Sequence, residues 1–387
     1  MNFISKNIIE LIQNSLNVKK ANLHNPIFNT DEINELAKCI KSTFVSSVGK
    51  NIKLFEKKIS KITNCENVIS IVNGTSALDL SIKVLNIQTN TEIFVPSLTF
   101  IAPVNSILYN NCIPHFIDID KSTLGINPDK LEIYIKKSFK FKNGYLINKK
   151  TKRKVSAIIP VHLFGHPLKI DKIIKIAKKY NLKVIEDAAE ALGSFYKKKH
   201  LGTFGDLGVL SFNGNKIITT GAGGAILTKN KTLAKKIKHL STTAKLDHPW
   251  NYIHDEIGYN YRMSNLNASL GLAQIKKINK ILINKRKLFK IYERNFKNNK
   301  YVDLFSEPSN SKSNYWFQTI IIKNEYSAYK EKILEDLNFK KIQSRPAWSL
   351  VHKLDKYKKY PKMDLRESVN LHNRIINIPS NTFNFLK

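Results

Sequence analysis

The chain has 387 residues, 42% of them hydrophobic, so it is long enough for one large domain and a smaller one with a sizeable buried core. Its apolar runs stay shorter than the roughly 18 residues that a membrane span needs. The formal net charge is +34, but the lysines are spread over nearly the whole chain. That spread favours a solvated surface that attracts small anions, so we expect neither a nucleic-acid partner nor a membrane partner.

The N-terminal segment predicts an amphipathic helix rather than a secretory signal. Apolar residues recur at helical spacing from Ile4 to Ile12, but Lys6 and Glu10 interrupt them. We therefore expect a cytoplasmic protein. The cysteines form no CxxC pair and have no histidine nearby at ligand spacing, which indicates neither a disulfide framework nor a zinc site. They are Cys39, Cys65 and Cys112.

Between about residues 66 and 228, short β-rich apolar runs alternate with helical ones. In chain order these runs are NVISIVN, TSALDLSIKVL, EIFVP, TFIAPVNSILYN, HFIDID, VSAIIPV, KIDKIIKIAKKY, LKVIED, GVLSF and GAILT. The alternation predicts an α/β domain whose mainly parallel sheet is covered by helices on both faces. Because ligands of such sheets bind at the carboxyl ends of the strands, the residues that follow each strand are the first candidates for a site.

The pattern changes near residue 260, where longer helical stretches are followed by the mixed segment YWFQTIIIKN. We expect a large α/β domain over residues 1–260, including the N-terminal helix, and a small C-terminal α+β domain over residues 261–387. Residues 141–157, FKNGYLINKKTKRKVSA, predict a polar hairpin before a core strand, because NG and the charged run fit turns better than a helix.

The first candidate site is the turn after NVISIVN. Gly74, Thr75 and Ser76 lead from this strand into a helix. Free backbone N–H groups and the positive end of the helix dipole make such a turn a seat for phosphate, and the hydroxyls add donors. A plain helix cap is the alternative, because Ser and Thr are favoured at helix starts in any protein. The turn is neither a Walker loop nor a GxGxxG fingerprint.

The second candidate is the acidic pair Glu186 and Asp187, with which the apolar strand LKVIED ends. A carboxylate at the carboxyl end of a buried strand faces the ligand crevice, where it must be paired or hydrogen-bonded to stay ionised. A protonated heterocyclic nitrogen is a suitable partner. The alternative is an Asp that caps the following helix.

The third candidate is Lys216, which lies between the strand GVLSF and the glycine-rich TTGAGG. A lysine held in such a crevice can act as an amine nucleophile and form a Schiff base with a carbonyl. The alternative is one more surface lysine. Taken together, a phosphate seat, a strand-end acid and this lysine are the three anchors that pyridoxal phosphate needs, for its phosphate, its ring nitrogen and its aldehyde.

These residues resemble those of the DegT/StrS family of sugar-nucleotide aminotransferases, over roughly residues 25–380. The segments that carry the resemblance are VNGTSAL, VPSLTFIA, PVHLFGHP, EDAAEALGS, GTFGDLGVLSFNGNKIITTGAGG and GYNYRMSN. The resemblance implies a fold type I pyridoxal-phosphate enzyme. Its architecture would be a mainly parallel seven-stranded sheet with helices on both faces, plus the smaller C-terminal α+β domain.

The resemblance also implies roles for single residues. Lys216 matches the lysine that forms the Schiff base, and Asp187 matches the partner of the ring nitrogen. The remaining matches are, for the phosphate, Thr75 with Gly74 and Ser76 beside it, and Ser211; for stacking on the cofactor ring, Phe100; for the surroundings of the ring hydroxyl, Glu190; and for the phosphate of a neighbouring subunit, Asn260. The last match implies a homodimer whose active sites are each built from two chains.

Within the family, the chain looks most like the aminotransferases of the legionaminic acid and bacillosamine pathways. It resembles them in the LINKKTKRK insertion and in FNGNKIITTG, HDEIGYNYR and IQSRPAW. The implied reaction moves an amino group from glutamate, leaving 2-oxoglutarate, to C4 of a UDP-linked 4-keto-6-deoxy-N-acetylhexosamine. Arg345 is a candidate for binding the nucleotide sugar, and a structural salt bridge is its alternative role.

Other functions stay open beside this one. A GDP-perosamine synthase-like aminotransferase is the alternative within the same chemistry. A sugar dehydratase of this fold would have a histidine in place of the lysine, so Lys216 argues against it. A catalytically silent regulatory homologue would keep the fold and bind no cofactor. Nucleic-acid binding through charge alone would be weak and strongly salt-dependent.

Three features need the structure to settle their meaning. Ala222 stands in TTGAGGA where relatives usually have glycine, which matters if that backbone must adopt a positive φ. The chain stops at NIPSNTFNFLK, before a helix that relatives usually carry, and we expect this to loosen the small domain or the dimer contact. His162 and His166 are four residues apart, but Gly165 and Pro167 argue against the helix that a metal site at this spacing requires.

Overall fold

The computed structural model describes residues 2–381, so the last six residues of the chain, on which the expectation about NIPSNTFNFLK partly falls, lie outside it. The helices are α1 (Phe3–Leu16), α2 (Thr30–Lys41), α3 (Lys50–Thr63), α4 (Gly74–Val84), α5 (Ala102–Tyr109), α6 (Pro128–Ser138), α7 (Ile170–Lys179), α8 (Lys231–Ser241), α9 (Asn265–Lys276), α10 (Ile278–Asn295), α11 (Lys330–Phe339) and α12 (Arg366–His372). None of these helices is both long and apolar enough to cross a membrane.

The strands of the N-terminal two thirds are β1 (Asn67–Ile71), β2 (Glu92–Pro96), β3 (Ile113–Ile117), β4 (Phe139–Lys142), β5 (Tyr145–Asn148), β6 (Lys154–Ile158), β7 (Lys183–Asp187), β8 (Phe195–Tyr196), β9 (Lys199–His200), β10 (Leu207–Ser211) and β11 (Gly224–Thr228). Those of the C-terminal third are β12 (Val302–Leu304), β13 (Ser311–Lys312), β14 (Gln318–Ile322), β15 (Arg345–Pro346) and β16 (Ile375–Ile378).

The main sheet has the strand order β1-β11-β10-β7-β6-β2-β3. Neighbours from β10 to β3 are parallel, whereas β11 is antiparallel to both β1 and β10. Both faces of the sheet are buried: Val209 of β10 packs in one apolar cluster and the adjacent Leu210 in another, on the opposite face. The predicted α/β fold with a mainly parallel seven-stranded sheet is confirmed, and its burial explains why the strands are continuous apolar runs.

The strand directions bring several carboxyl ends to one edge. β11 is antiparallel to its two neighbours, so β1 and β10 run in the same direction as β7 and β6. The turn at Gly74, Asp187 at the end of β7 and Ser211 at the end of β10 therefore lie along one edge of the sheet. This edge is where ligands of parallel α/β sheets bind.

The hairpin expected over residues 141–157 is present, and it adds two strands to the sheet. β4 and β5 are antiparallel, and β5 pairs with β6. Asn143 and Gly144 join them with positive φ angles of 52° and 77°, as a two-residue hairpin turn requires. The insertion is a built part of the sheet rather than a loose loop.

The C-terminal third forms a separate sheet of order β12-β14-β16-β15. The helix α1 packs here, because its buried isoleucines, among them Ile8 and Ile12, share an apolar cluster with Leu288, Ile320 and Ile333 of α10, β14 and α11. The sequence placed this helix with the large domain, whereas its apolar face packs on residues of the C-terminal third, because hydrophobic periodicity shows that a helix has an apolar face but not which surface that face meets. The domain boundary near residue 260 stays a prediction.

Candidate functional site

Lys216 lies beyond β10, in a turn that its backbone N–H closes by donating to the carbonyl of Asn213. Its side chain is only 14% exposed, and its Nζ lies 3.3 Å from Oε1 of Glu190. On the other side, Nζ lies 3.8 Å from the ring centroid of Trp316. The lysine is therefore held between a carboxylate and an indole face rather than at the open surface.

The two acids at the end of β7 have separate environments. Glu186 is fully buried and accepts hydrogen bonds from His162 and from the backbone N–H groups of Gly202 and Gly205. Burial alone would raise the pKa of Glu186, but these hydrogen bonds lower it. Glu186 therefore organises the loop that follows β9.

Asp187 is the acid that faces the lysine. Its Oδ1 accepts the N–H of Ala189 at 3.1 Å, and the charges of Glu190 and Lys216 act on it. Burial first, and then the charge of Glu190, raise the pKa of Asp187 to about 7. A cationic partner would stabilise the ionised form of this buried carboxyl group, and a protonated ring nitrogen would be such a partner.

Glu190 links the lysine to the loop PVHLFGHP. Its Oε2 accepts the N–H of Phe164 at 2.7 Å, while its Oε1 accepts from Lys216. Phe164 has a φ of 55°, in the left-handed region that bulky residues rarely adopt, and such strain tends to persist at functional sites. Burial raises the pKa of Glu190. The sequence did not single out Phe164, because a backbone N–H is available from any non-proline residue.

The turn at Gly74 has the form of a phosphate seat. Asn73 caps α4 by accepting the N–H of Ser76 at 2.7 Å. A Cβ on Gly74 would lie 3.1 Å from Cβ of Ser211, so the helix start and the second predicted hydroxyl are in contact. A Cβ on Gly224 would lie 2.7 Å from the backbone C of Asn73, so only glycine lets β11 pass this close.

Aromatic side chains form the outer part of the site. Phe100, the predicted stacking residue, is 48% exposed, and its ring centroid lies 5.8 Å from that of Trp348. Trp348 also packs against Phe164 at 5.4 Å. Neither Trp348 nor Trp316 was singled out from the sequence, where they look like ordinary apolar residues of the C-terminal segment.

Two predicted residues lie apart from this cluster. Asn260 is exposed. It lies beside the end of β1, because the carbonyl of the next residue, Tyr261, accepts the N–H of Val72. Arg345 is exposed too, and its Nη1 donates to Asn338 and to the carbonyl of Ser344. The site roles of both residues stay predictions.

The structure shows the backbone of Ala222 and the partners of the two histidines. Ala222 is not among the residues with positive φ, whereas the adjacent Gly221 has a φ of 80°, so alanine is compatible with this turn. His162 bonds to Glu186, and His166 bonds to Ser313 through Nδ1. The two histidines therefore have different partners and do not share a site.

The residues along this edge fit pyridoxal phosphate. The contact of Gly74 with Ser211 leaves the start of α4 as a cradle that a Cβ would narrow. Asp187 is a buried carboxyl whose pKa is raised by burial, and Lys216 offers a largely buried amine. Groups of the three kinds that pyridoxal phosphate needs, for its phosphate, its ring nitrogen and its aldehyde, thus lie along this edge, and their roles stay predictions.

Comparisons with known proteins identify relatives of this chain. Residues 26–382 match the model of the DegT/DnrJ/EryC1/StrS aminotransferase family. The chain is 36% identical over 359 residues to GDP-perosamine synthase of Escherichia coli O157:H7, covering 92% of each chain. It is 30% identical over 350 residues to a UDP-4-amino-4,6-dideoxy-N-acetyl-beta-L-altrosamine transaminase of Campylobacter jejuni, covering 90% of this chain and 89% of that one.

A solved structure supports the fold. Helicobacter pylori PseC, an aminotransferase involved in the biosynthesis of pseudoaminic acid, superposes with a TM-score of 0.85 at 24% identity and covers 93% of each chain. Pyridoxal phosphate, the cofactor predicted from the sequence, is the one that this family uses. The chain therefore belongs to the DegT/DnrJ/EryC1/StrS family of pyridoxal-phosphate-dependent aminotransferases.

Proposed function

We propose that the protein moves the amino group of glutamate to C4 of a nucleotide-linked 4-keto-6-deoxy sugar. The observation that carries the proposal is the position of Lys216, whose amine lies between Glu190 and Trp316 and close to Asp187. A lysine here suits transamination, and it does not suit the dehydratase alternative, which would have a histidine.

Different residues of the chain have different roles in this reaction. Bound pyridoxal phosphate supplies a carbonyl that takes up the amino group and a ring that withdraws electrons from the amino acid Cα. Lys216 would take the proton from the amino-acid Cα at its Nζ and deliver it to the cofactor carbon that bore the aldehyde, and it would run the same transfer in reverse when the sugar is aminated. Asp187 holds the ring nitrogen in its protonated state, and the start of α4 with Thr75 and Ser211 binds the phosphate.

Two nucleotide-linked sugars are candidates for the substrate that accepts the amino group. The segments resembling the legionaminic acid and bacillosamine pathways support a UDP-linked N-acetylated keto sugar, as does the name of the Campylobacter jejuni relative. Relatives named GDP-perosamine synthase, at 36% and 34% identity, support a GDP-linked one. We retain the UDP-linked sugar as the first candidate, and assaying both keto sugars with glutamate and the same enzyme preparation decides between them.

We propose further that the enzyme works as a homodimer with shared sites. Asn260 is exposed, as a residue that serves a neighbouring chain must be. Exposed apolar side chains also occur in the segment just before it, namely Trp250, Tyr252 and Ile257. Covering them would remove apolar area from water. Sedimentation of the purified protein tests this, and a single-chain mass at micromolar concentration would contradict it.

The absorbance spectrum of the purified protein tests the proposed function. We expect a visible band from the bound cofactor that glutamate bleaches, with 2-oxoglutarate formed in equal amount. Adding the correct keto sugar should then restore the band. A protein that stays colourless after pyridoxal phosphate is supplied would instead support the regulatory alternative, and a band that glutamate leaves unchanged would exclude glutamate as the donor.

The phosphate seat gives a separate prediction. In Gly224→Ala the new Cβ would meet the backbone of Asn73 and Gly74 at 2.7–2.8 Å and push the start of α4 away. We expect the affinity for pyridoxal phosphate to fall by about tenfold or more, while the affinity for pyridoxal, which lacks the phosphate, changes little. Titration of the cofactor-free protein with both compounds measures this.

Gly214→Ala is the matched control for that variant. Gly214 lies in the neighbouring turn, and a Cβ there would meet nothing within 4 Å. Its affinity for both compounds should equal that of the unmodified protein. Equal losses for pyridoxal and pyridoxal phosphate in Gly224→Ala would show that the variant disturbs the site in general and not the phosphate seat.

A further inference from the structure

We infer that Trp316 is a positioning residue for Lys216, whose indole face holds the lysine amine as a cation opposite Glu190 while the amine carries the transferred proton. The inference rests on the proposed function, because it concerns the proton that Lys216 moves. Nothing in the roles assigned from the sequence includes Trp316.

The contact geometry supports this role. Nζ of Lys216 lies 3.8 Å from the indole centroid and 3.3 Å from Oε1 of Glu190. Trp316 is 1% exposed, so the contact is desolvated on the side of the ring. A cation is attracted to an indole face, and more strongly where water is excluded, whereas a neutral amine is not. The two groups therefore fix where the amine sits, with a carboxylate on one side and an indole face on the other.

The indole ring is itself held in place. Its Nε1 donates to the carbonyl of Asn215 at 2.6 Å, directly before the lysine in the chain. Its backbone N–H donates to Oδ1 of Asn314 at 2.8 Å, and its carbonyl accepts from the buried amine of Lys285 at 2.9 Å. With ring and backbone both anchored, the face that Lys216 meets has one orientation.

The same segment also fixes the opposite wall. Nδ2 of Asn314 donates to the backbone carbonyl of Glu190 at 2.7 Å. The residues between β13 and β14 thus position both the indole and the carboxylate that flank Lys216. The C-terminal sheet, through this segment, sets the surroundings of a lysine that the main sheet presents.

Single-turnover bleaching by saturating glutamate tests the role of Trp316 without the sugar substrate. We expect Trp316→Leu, with its cofactor band intact, to react about 30-fold more slowly. Its glutamate affinity should stay within about threefold, because the ring does not bind the amino acid. Replacing glutamate with 2-deuteroglutamate should slow the variant more than it slows the unmodified enzyme. Trp316→Phe, which keeps an aromatic face, should recover most of the rate.

A second readout uses the full chain after removal of the cofactor. Acetic anhydride acylates free amines, so Lys216 should be labelled several times faster in Trp316→Leu than in the unmodified protein, as measured by mass spectrometry of its peptide. Lys183, an exposed lysine at the start of β7, provides the internal control, and its labelling should not change.

The outcomes separate this inference from the proposed function. If glutamate bleaches the unmodified enzyme but Trp316→Leu reacts at the same rate, or shows an unchanged isotope effect and unchanged Lys216 labelling, the positioning role is wrong and the proposed function stands. A Trp316→Phe variant no faster than Trp316→Leu would also overturn it. If glutamate does not bleach the unmodified enzyme, the proposed function itself fails.

Discussion

Replacing Lys216 with alanine is expected to abolish the glutamate-dependent bleaching and to lower the overall transamination rate by about 1,000-fold or more. The reason is that no other lysine amine in the described chain contacts Glu190, so the group that moves the proton has no substitute. Stopped-flow absorbance with glutamate measures the first half-reaction, and the amount of aminated sugar measures the whole.

Two further variants show whether the loss of activity is due to the missing amine of Lys216. Lys216→Arg keeps a positive charge between Glu190 and Trp316 but has no amine that can give up its proton at neutral pH, so it should be as inactive as the alanine variant. Lys183→Gln removes an exposed lysine from the far end of β7 and should retain full activity. A Lys216→Ala protein that aminates the keto sugar at the normal rate would end the proposed mechanism.

The main sheet and the residues at its edge were predictable because their signals are local. β10 and β11 are buried on both faces, so GVLSF and GAILT are apolar runs bounded by turn residues. Parallel strands bring their carboxyl ends to one edge, so the residue after each apolar run is placed by the topology alone. For this reason Gly74 and Asp187 could be predicted to share one site before their contacts were known, whereas Ser211 was implied only by the family resemblance.

The other parts of the site depend on contacts distant in sequence. The indole of Trp316 reaches the carbonyl of Asn215 across 101 residues, and no periodicity encodes such a contact. Glu186 and Asp187 show a related limit. Adjacent strand residues point to opposite faces, so one of the two had to leave the ligand side, but the spacing does not say which. Burial against Gly202 and Gly205 decides that it is Glu186.

Asp187 is expected to lower the free energy of unfolding of the cofactor-free protein. Burial raises its pKa to about 7, above its ordinary value of 3.8. The unfolded chain therefore releases this proton at lower pH than the folded one does. Below about pH 4 this carboxyl is protonated in both states and does not lower the free energy of unfolding. As the pH rises from about 4 to about 7 the free energy of unfolding falls, and above about 7 the full loss is present. A cationic ring nitrogen bound beside the carboxylate would remove this penalty.

Asp187→Asn should thus inactivate the enzyme and yet stabilise the cofactor-free protein. We expect the amination rate to fall at least about 100-fold, because an amide cannot hold the ring nitrogen in its protonated state. In urea unfolding without cofactor, the variant should gain stability over the unmodified protein, and the gain should be about 2 kcal/mol larger at about pH 8.5 than at about pH 5.5. The asparagine Oδ1 still accepts the N–H of Ala189, so the local backbone keeps its partner.

Adding pyridoxal phosphate should reverse this order. The cofactor stabilises both proteins, and it stabilises more the one that binds it more tightly. The unmodified protein gains an ion pair with the ring nitrogen that the asparagine variant lacks. The increase in unfolding free energy on cofactor addition should therefore be larger for the unmodified protein, most clearly above pH 7. A variant stabilised equally by the cofactor would show that Asp187 does not face the ring nitrogen, and a variant without the pH-dependent gain in the absence of cofactor would show that burial does not raise the pKa of Asp187.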